Sequence, residues 1–261
     1  MSLTGVGKET VEIVEHGSYV APSGKTVELR AAIDRAVKGS VLYRTFEAVS
    51  ASGRAPQIEV TEETTAEAAR RLALAGERVV ALNFASAKNP GGGFLGGAKA
   101  QEEDLARCSA LYHCQLGQRA YYDSNRAEPS MLYTDHAIYS PDVPFFRNDR
   151  LELLETPFPA SIITSPAPNA GEAYKRDPNA GPAIHATLER RASQVLAIAR
   201  EQSHKTIVLG AWGCGVFRND PNEVAEVFST RLGGFDRVVF AIYDRSPGRT
   251  TLAAFRARFT T

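Results

Sequence analysis

Gln101, Glu102 and Glu103 stand together where a stretch of bare backbone gives way to a helix-like segment. Adjacent carboxylates are the residue type that moves protons as general acids and bases. Just before them, Asn89-Pro90-Gly91-Gly92-Gly93-Phe94-Leu95-Gly96-Gly97 packs five glycines into seven positions, and ahead of that lies the apolar run Val79-Val80-Ala81-Leu82. The order reads as strand, loop and helix start. Glycines so crowded weaken any regular element, so their use is to let main chain approach a ligand closely or take positive φ. A helix start adds unpaired N–H groups that favour anions such as phosphates. Acids in a first turn, here Glu102, Glu103 and Asp104, also occur as plain complements to the helix dipole. Their company with Gln101 and the glycines turns the reading toward chemistry.

A second loop has the same character. After the apolar run Ile207–Leu209 come Gly210-Ala211-Trp212-Gly213-Cys214-Gly215-Val216-Phe217-Arg218-Asn219 and another helix start at Asp220-Pro221. Two such loops at one edge of an α/β sheet can clasp a single ligand from both sides. Gly213 and Gly215 free the backbone to aim N–H groups at phosphate oxygens. Cys214 and the histidines His113, His136, His185 and His204 invite a Cys/His nucleophile, but no local spacing joins them, and phosphate loops use main chain at that position. Burial statistics alone make Phe217 a core aromatic more often than a ligand contact. Asp135-His136 offers too few ligands for a metal. Cys108, Cys114 and Cys214 lack Cys-x-x-Cys spacing, which predicts reduced thiols and neither a disulfide framework nor a zinc site.

Three glycines, seven residues and then Gln-Glu-Glu resemble the signature of bacterial-type poly(ADP-ribose) glycohydrolases, enzymes built on the macrodomain fold. Gly213 to Phe217 likewise resembles the macrodomain diphosphate loop of glycine, small residue, glycine, branched apolar residue and aromatic. The resemblance implies that Glu103 protonates the leaving 2′-oxygen of a ribose–ribose bond and then, as base, activates water, while Glu102 supports the substrate or the loop. Neighbours on a helix point about 100° apart, so the two acids cannot face each other across one bond and one of them does the work. It further implies that Asn89 hydrogen-bonds ribose hydroxyls, that Gly91, Gly92, Gly93 and Gln101 lie against the ligand, that Gly213, Cys214, Gly215 and Val216 cradle the diphosphate, and that Phe217 presses on the ribose whose bond breaks. Thr164 to Gly171 resembles the corresponding family segment and makes Asn169 a further ligand candidate. Lys88, Lys99, Arg107 and Arg218 flank the loops and could hold polymer phosphates, although solvated charge is the default for such residues. The expected substrate is poly(ADP-ribose) or ADP-ribosylated protein, the product ADP-ribose, with no cofactor and no metal. An ADP-ribose-binding module without hydrolysis is the alternative from another class, and the paired acids argue against it; a mono-ADP-ribosyl hydrolase would use the same pocket.

The elements that must position these groups follow from composition and periodicity. The 261 residues are 43% hydrophobic and 23% charged, enough for a substantial core. Thirty basic and thirty acidic residues cancel, so bulk charge predicts no direct nucleic-acid binding. No apolar run suits a signal peptide or a membrane span, and the expectation is a soluble, cytoplasmic, monomeric protein. The first twenty residues, with Gly5, Gly7 and Gly17, read as partly loose. A helix is predicted over Leu29–Val37, a strand over Pro56–Val60, and a helix from the capping box Thr64-Thr65-Ala66-Glu67 to Gly76. Strands are predicted at Val79–Leu82, Met131–Tyr139, Ile162–Ile163, Ile207–Leu209 and Val238–Ile242, and helices at Gln101–Leu116, Pro182–Gln202, Pro221–Leu232 and Thr250–Phe259. The proline-rich connection from Ser140 to Pro159 reads as a stiff loop that could wall a cleft or simply pack on the sheet edge. The fold class is α/β, a macrodomain-like three-layer α/β/α arrangement on a mixed central sheet, with an N-terminal accessory extension over residues 1–76 and the catalytic domain over 77–261.

Overall fold

The computed structural model describes residues 2–46 and 54–260. In chain order the elements are α1 (Leu3–His16), β1 (Ser18–Val20), β2 (Thr26–Glu28), α2 (Arg30–Lys38), β3 (Val41–Tyr43), β4 (Gln57–Thr61), α3 (Thr65–Leu74), β5 (Val79–Phe84), α4 (Gln101–Cys108), α5 (Leu111–Leu116), α6 (Arg119–Ala127), β6 (Ala137–Arg147), β7 (Leu153–Ser165), α7 (Ala170–Arg176), α8 (Gly181–Glu201), β8 (Thr206–Gly210), α9 (Pro221–Ser229), β9 (Arg237–Ala241) and α10 (Thr250–Phe259). Seven strands form one sheet in the order β3-β6-β7-β5-β8-β9-β4. It is parallel from β7 to β4, while β6 runs antiparallel to both β7 and β3. Alternation along β5 sends Val80 and Leu82 into a core shared with α8, α9 and α10, and Val79 and Ala81 into one shared with α1, α2 and α3. Helices therefore cover both faces, as the α/β/α class requires.

The expected boundary at residue 76 runs through this sheet. β3 and β4, both from the first 76 residues, are its two edge strands, with β4 paired to β9 over five residues. Residues 2–20, read as partly loose, form α1 and β1. Ser2 caps α1 by accepting the Gly5 N–H, Gly17 ends it at φ +86°, and Val6, Thr10, Ile13 and Val14 are buried along one stripe. Gly7 reads as a turn residue, yet its use is close packing: a Cβ there would sit 3.1 Å from the Phe94 carbonyl oxygen.

The predicted helix Gln101–Leu116 breaks into α4 and α5 because Ser109 is extended and bridges to Phe145. The strand expected from Met131 begins only at Ala137, and the segment expected as a stiff loop is the β6–β7 hairpin. Its prolines are tolerated because β6 meets β3 only at Ala137–Tyr139 and β7 meets β5 only from Ser161. Beyond the single bridge from Ser109 to Phe145, the outer arms meet no further strand among the described residues, so proline there removes no strand-ladder bond, and Pro144 lies opposite Pro159. Phe145 and Phe146 are buried with Tyr19 and Phe158 and do not wall a cleft. The helices α6 and α7 escaped the sequence reading. The capping box of α3 and the Asp220-Pro221 start of α9 are present as read.

Candidate active site

The C-terminal ends of β7, β5 and β8 lie side by side, so the segments that leave them gather at one edge of the sheet, where ligands of open α/β sheets bind. The antiparallel β6 starts at the same edge. Grooves of about 600 Å³ between α3 and the hairpin tip, and of about 460 Å³ at the opposite end of the parallel strands, lie away from this edge.

In the first loop, every N–H from Gly91 to Phe94 already has a protein acceptor. Gly91 donates to Gln115 Oε1 at 2.7 Å, Gly92 to the Asn89 carbonyl, Gly93 to Glu103 Oε1 at 2.9 Å, and Phe94 to the Gly91 carbonyl. Gly91 and Gly92 take φ +63° and +58°. A Cβ on Gly92 would collide with Glu103 Oε1 and stand 3.2 Å from Glu102 Oε2. The glycines expected to bare main chain to the ligand thus bare it to the protein's own two carboxylates. The far arm is locked from below: the buried Arg107 guanidinium donates to the carbonyls of Phe94 and Ala98 and pairs with Asp104 at 3.1 Å. The Arg107 carbonyl in turn accepts from Thr10 of α1 at 2.7 Å. Arg107 is therefore a loop brace and not the solvated charge its type suggests.

The two acids differ. Glu102 is 2% exposed, and both its oxygens are engaged. Oε1 accepts from Asn83 Nδ2 at 3.0 Å and Gln115 Nε2 at 2.9 Å, and Oε2 accepts from the Ser86 N–H at 2.6 Å. Burial pushes its pKa up to about 7, against the pull of those three donors and with some help from the neighbouring Glu103. Glu103 is only part-buried, and its Gly93 bond occupies one oxygen. Gln101 is committed as well: its oxygen accepts the Phe84 N–H at 2.8 Å and its nitrogen donates to the Leu82 carbonyl at 2.8 Å. It extends the end of β5, and its amide is not free for the ligand contact expected of it. Asn89 is exposed at the rim.

The second loop is the reverse of the first. The main-chain N–H groups of Gly215, Val216 and Phe217 donate to no protein acceptor among the described residues. Val216 is 82% exposed, and a Cβ on Gly215 would meet open space. Anchors lie at its two ends. The buried Trp212 donates to the Ser165 carbonyl at 3.0 Å, and Asn219 Nδ2 donates to the carbonyls of Pro168 at 2.9 Å and Gly213 at 3.1 Å. Gly213, at φ +72°, has Ala167 and Asn219 where its Cβ would be. Cys214 has no histidine partner among the described residues, and burial pushes its thiol up to about 12. Thiolate chemistry is disfavoured there. Asn169 caps α7 through the Glu172 N–H.

The model for "Microbial-type PARG, catalytic domain" matches residues 7–148. A crystal structure of poly(ADP-ribose) glycohydrolase from Thermomonospora curvata is 46% identical, with 98% of this chain and 99% of that one covered and a TM-score of 0.92. The chain belongs to the microbial-type poly(ADP-ribose) glycohydrolase family. The T. curvata protein bound to the inhibitor ADP-HPD matches with 45% identity, the same coverages and a TM-score of 0.90. The Deinococcus radiodurans glycohydrolase in complex with ADP-ribose matches with 45% identity, 90% of this chain and 99% of that one, and a TM-score of 0.82. No curated protein matches.

Within this glycohydrolase fold the sequence reading did not single out Asn83 or Gln115, and it placed Arg107, Trp212 and Asn219 at the loops without their supporting roles. Residues scattered between positions 83 and 219 carry no local spacing that marks them as partners. A faint signal existed in Gln115 and Arg107, polar side chains on otherwise apolar stripes of the α4 and α5 helices.

Proposed function

We propose that Glu103 carries the proton traffic as this glycosidase hydrolyses ribose–ribose O-glycosidic bonds of poly(ADP-ribose) and releases ADP-ribose. The carrying observation is the Gly93 N–H on Glu103 Oε1 at 2.9 Å. It fixes one oxygen and leaves the other for the substrate. The free oxygen, protonated, delivers its proton to the departing 2′-oxygen as the glycosidic bond breaks and its electron pair leaves with that oxygen. The resulting carboxylate takes a proton from water, whose oxygen bonds to the oxocarbenium-like carbon, and Glu103 returns to its starting state. Glu102 does not touch the reacting atoms in this scheme. Through Gln115 and Ser86 it sets the loop on which Glu103 rests.

The free N–H groups of Gly215, Val216 and Phe217 suit the diphosphate, as an anion-binding concavity of main chain does. Phe217 then lies along the ribose and the exposed Asn89 reaches its hydroxyls. ADP-ribosylated proteins are included as substrates. The balanced charge of thirty basic and thirty acidic residues supports action without direct nucleic-acid binding. No described helix is long and apolar enough to cross a membrane, and we read the protein as a cytoplasmic monomer.

Glu103→Gln tests the scheme. The amide keeps size but shuttles no proton, so turnover of labelled polymer is expected to fall about 10²-fold or more, with ADP-ribose affinity by calorimetry retained. An active Glu103→Gln protein contradicts the assignment.

A further inference from the structure

Tyr133 has a backbone that a bulky side chain rarely adopts. Its φ is +61°, in the left-handed region that suits glycine, asparagine and aspartate. Such a conformation persists where its surroundings over-determine it, and here they do. Arg191 on α8, fully buried, directs its guanidinium at this segment: Nη2 donates to the carbonyls of Leu132 and Tyr133, Nη1 to the Pro166 carbonyl at 2.9 Å, and Nε to Asp135 at 2.8 Å. One internal cation is committed to holding residues 132–135 against the segment that leaves β7.

The result is an aromatic ring that joins the two loops. The Tyr133 ring centroid is 6.0 Å from that of Phe217, and the Lys88 ammonium, next to Asn89, lies 6.0 Å from the Tyr133 centroid. The ring is part-exposed, and its hydroxyl makes no hydrogen bond to the described residues. An aromatic face with an ammonium beside it suits a group that has an apolar face next to an anion, which is the chemistry of a sugar phosphate.

We propose that Tyr133 contacts the substrate. With Lys88 it forms the third side of the cleft and takes the face of a ribose and its adjoining phosphate. This rests on the reading that the cleft between the loops holds ADP-ribose. Arg191 is the positioning residue that keeps the ring there at the expense of an unfavourable backbone conformation.

The test is calorimetry with ADP-ribose on the full chain, with thermal melts, for wild type, Tyr133→Asn, Tyr133→Phe and Lys88→Gln. Asparagine accepts the left-handed backbone but removes the ring. Tyr133→Asn is expected to melt at or above the wild-type temperature while Kd rises about tenfold. Tyr133→Phe is expected to bind within about twofold, since the ring does the binding. Lys88→Gln is expected to bind about threefold more weakly, with a shallower salt dependence. A Tyr133→Asn protein that binds like wild type overturns the proposal. So does one whose affinity and melting temperature fall together with Tyr133→Phe equally impaired, which is the mark of a purely structural role. Wild type that fails to bind ADP-ribose at all overturns the reading of the cleft instead.

Discussion

Two loops of nearly the same composition use their main chain in opposite ways. From Gly91 to Phe94 every N–H bonds to the protein itself, and two of the acceptors are Glu103 and the glutamine that bonds Glu102. From Gly215 to Phe217 none does among the described residues. The first loop is braced by Arg107 and by α1 packing through Gly7, whereas the second is tethered at its ends by Trp212 and Asn219 with Val216 in solvent. A glycine-rich loop is therefore not by itself a ligand cradle. Small residues admit whatever comes closest, and in the first loop that is the enzyme's own acid pair. In the proposed scheme, rigidity serves the loop that aims a proton and open donors serve the loop that receives an anion.

This contrast can be broken most sharply at Gly92. An added Cβ collides with Glu103 Oε1 and the φ is +58°, so Gly92→Ala displaces the acid. Misplacement of about 1 Å costs roughly 10²-fold, and single-turnover assays on labelled polymer are expected to show a loss of that size.

Gly213 sharpens the picture of the second loop. Its Cβ position is already filled by Ala167 and Asn219, so Gly213→Val combines overpacking with backbone strain and is expected to cost about 3 kcal/mol in denaturant unfolding. A melt like that of wild type contradicts the tether.

A smaller effect concerns pH. Burial raises the Glu102 pKa from 4.5 to about 7 in the folded protein, so the folded state binds the proton more tightly than the unfolded state. The resulting stability is full below about pH 4.5 and is lost as pH rises toward about 7, on the order of 3 kcal/mol across the window. Thermal melts of wild type against Glu102→Gln between those values are expected to show wild type losing ground as pH rises. Parallel profiles contradict the account.

Much of the frame was legible because its signals are local. The Thr64 capping box, the Asp220-Pro221 start and the β-branched runs of β5, β8 and β9 each depend on neighbours in the chain. α1 was not, because Gly5 and Gly7 look like breakers and the packing of Phe94 against Gly7 is a tertiary contact. The β6–β7 hairpin hid behind prolines that only a free edge excuses. At the site, the residue types and the two loops could be read, but the use of each N–H could not, since the bonds of Gln115 to Gly91, Arg107 to Phe94 and Asn219 to Pro168 follow no spacing in the chain. Gln101 shows the same limit: its motif position was plain, while its bonds to Phe84 and Leu82 were not.

The central claim is that one loop aims the acid and the other receives the anion. It is tested most directly by measuring single-turnover rate and ADP-ribose Kd in both Gly92→Ala and Gly215→Val. A Cβ at Gly215 meets open space, and a branched side chain there is expected to cover the free N–H groups. The account predicts a crossed result: Gly92→Ala loses about 10²-fold in rate with Kd within about threefold, and Gly215→Val weakens Kd by about tenfold or more with the rate at saturation largely kept. Equal losses of rate and affinity in both variants, with unchanged melting, would contradict it.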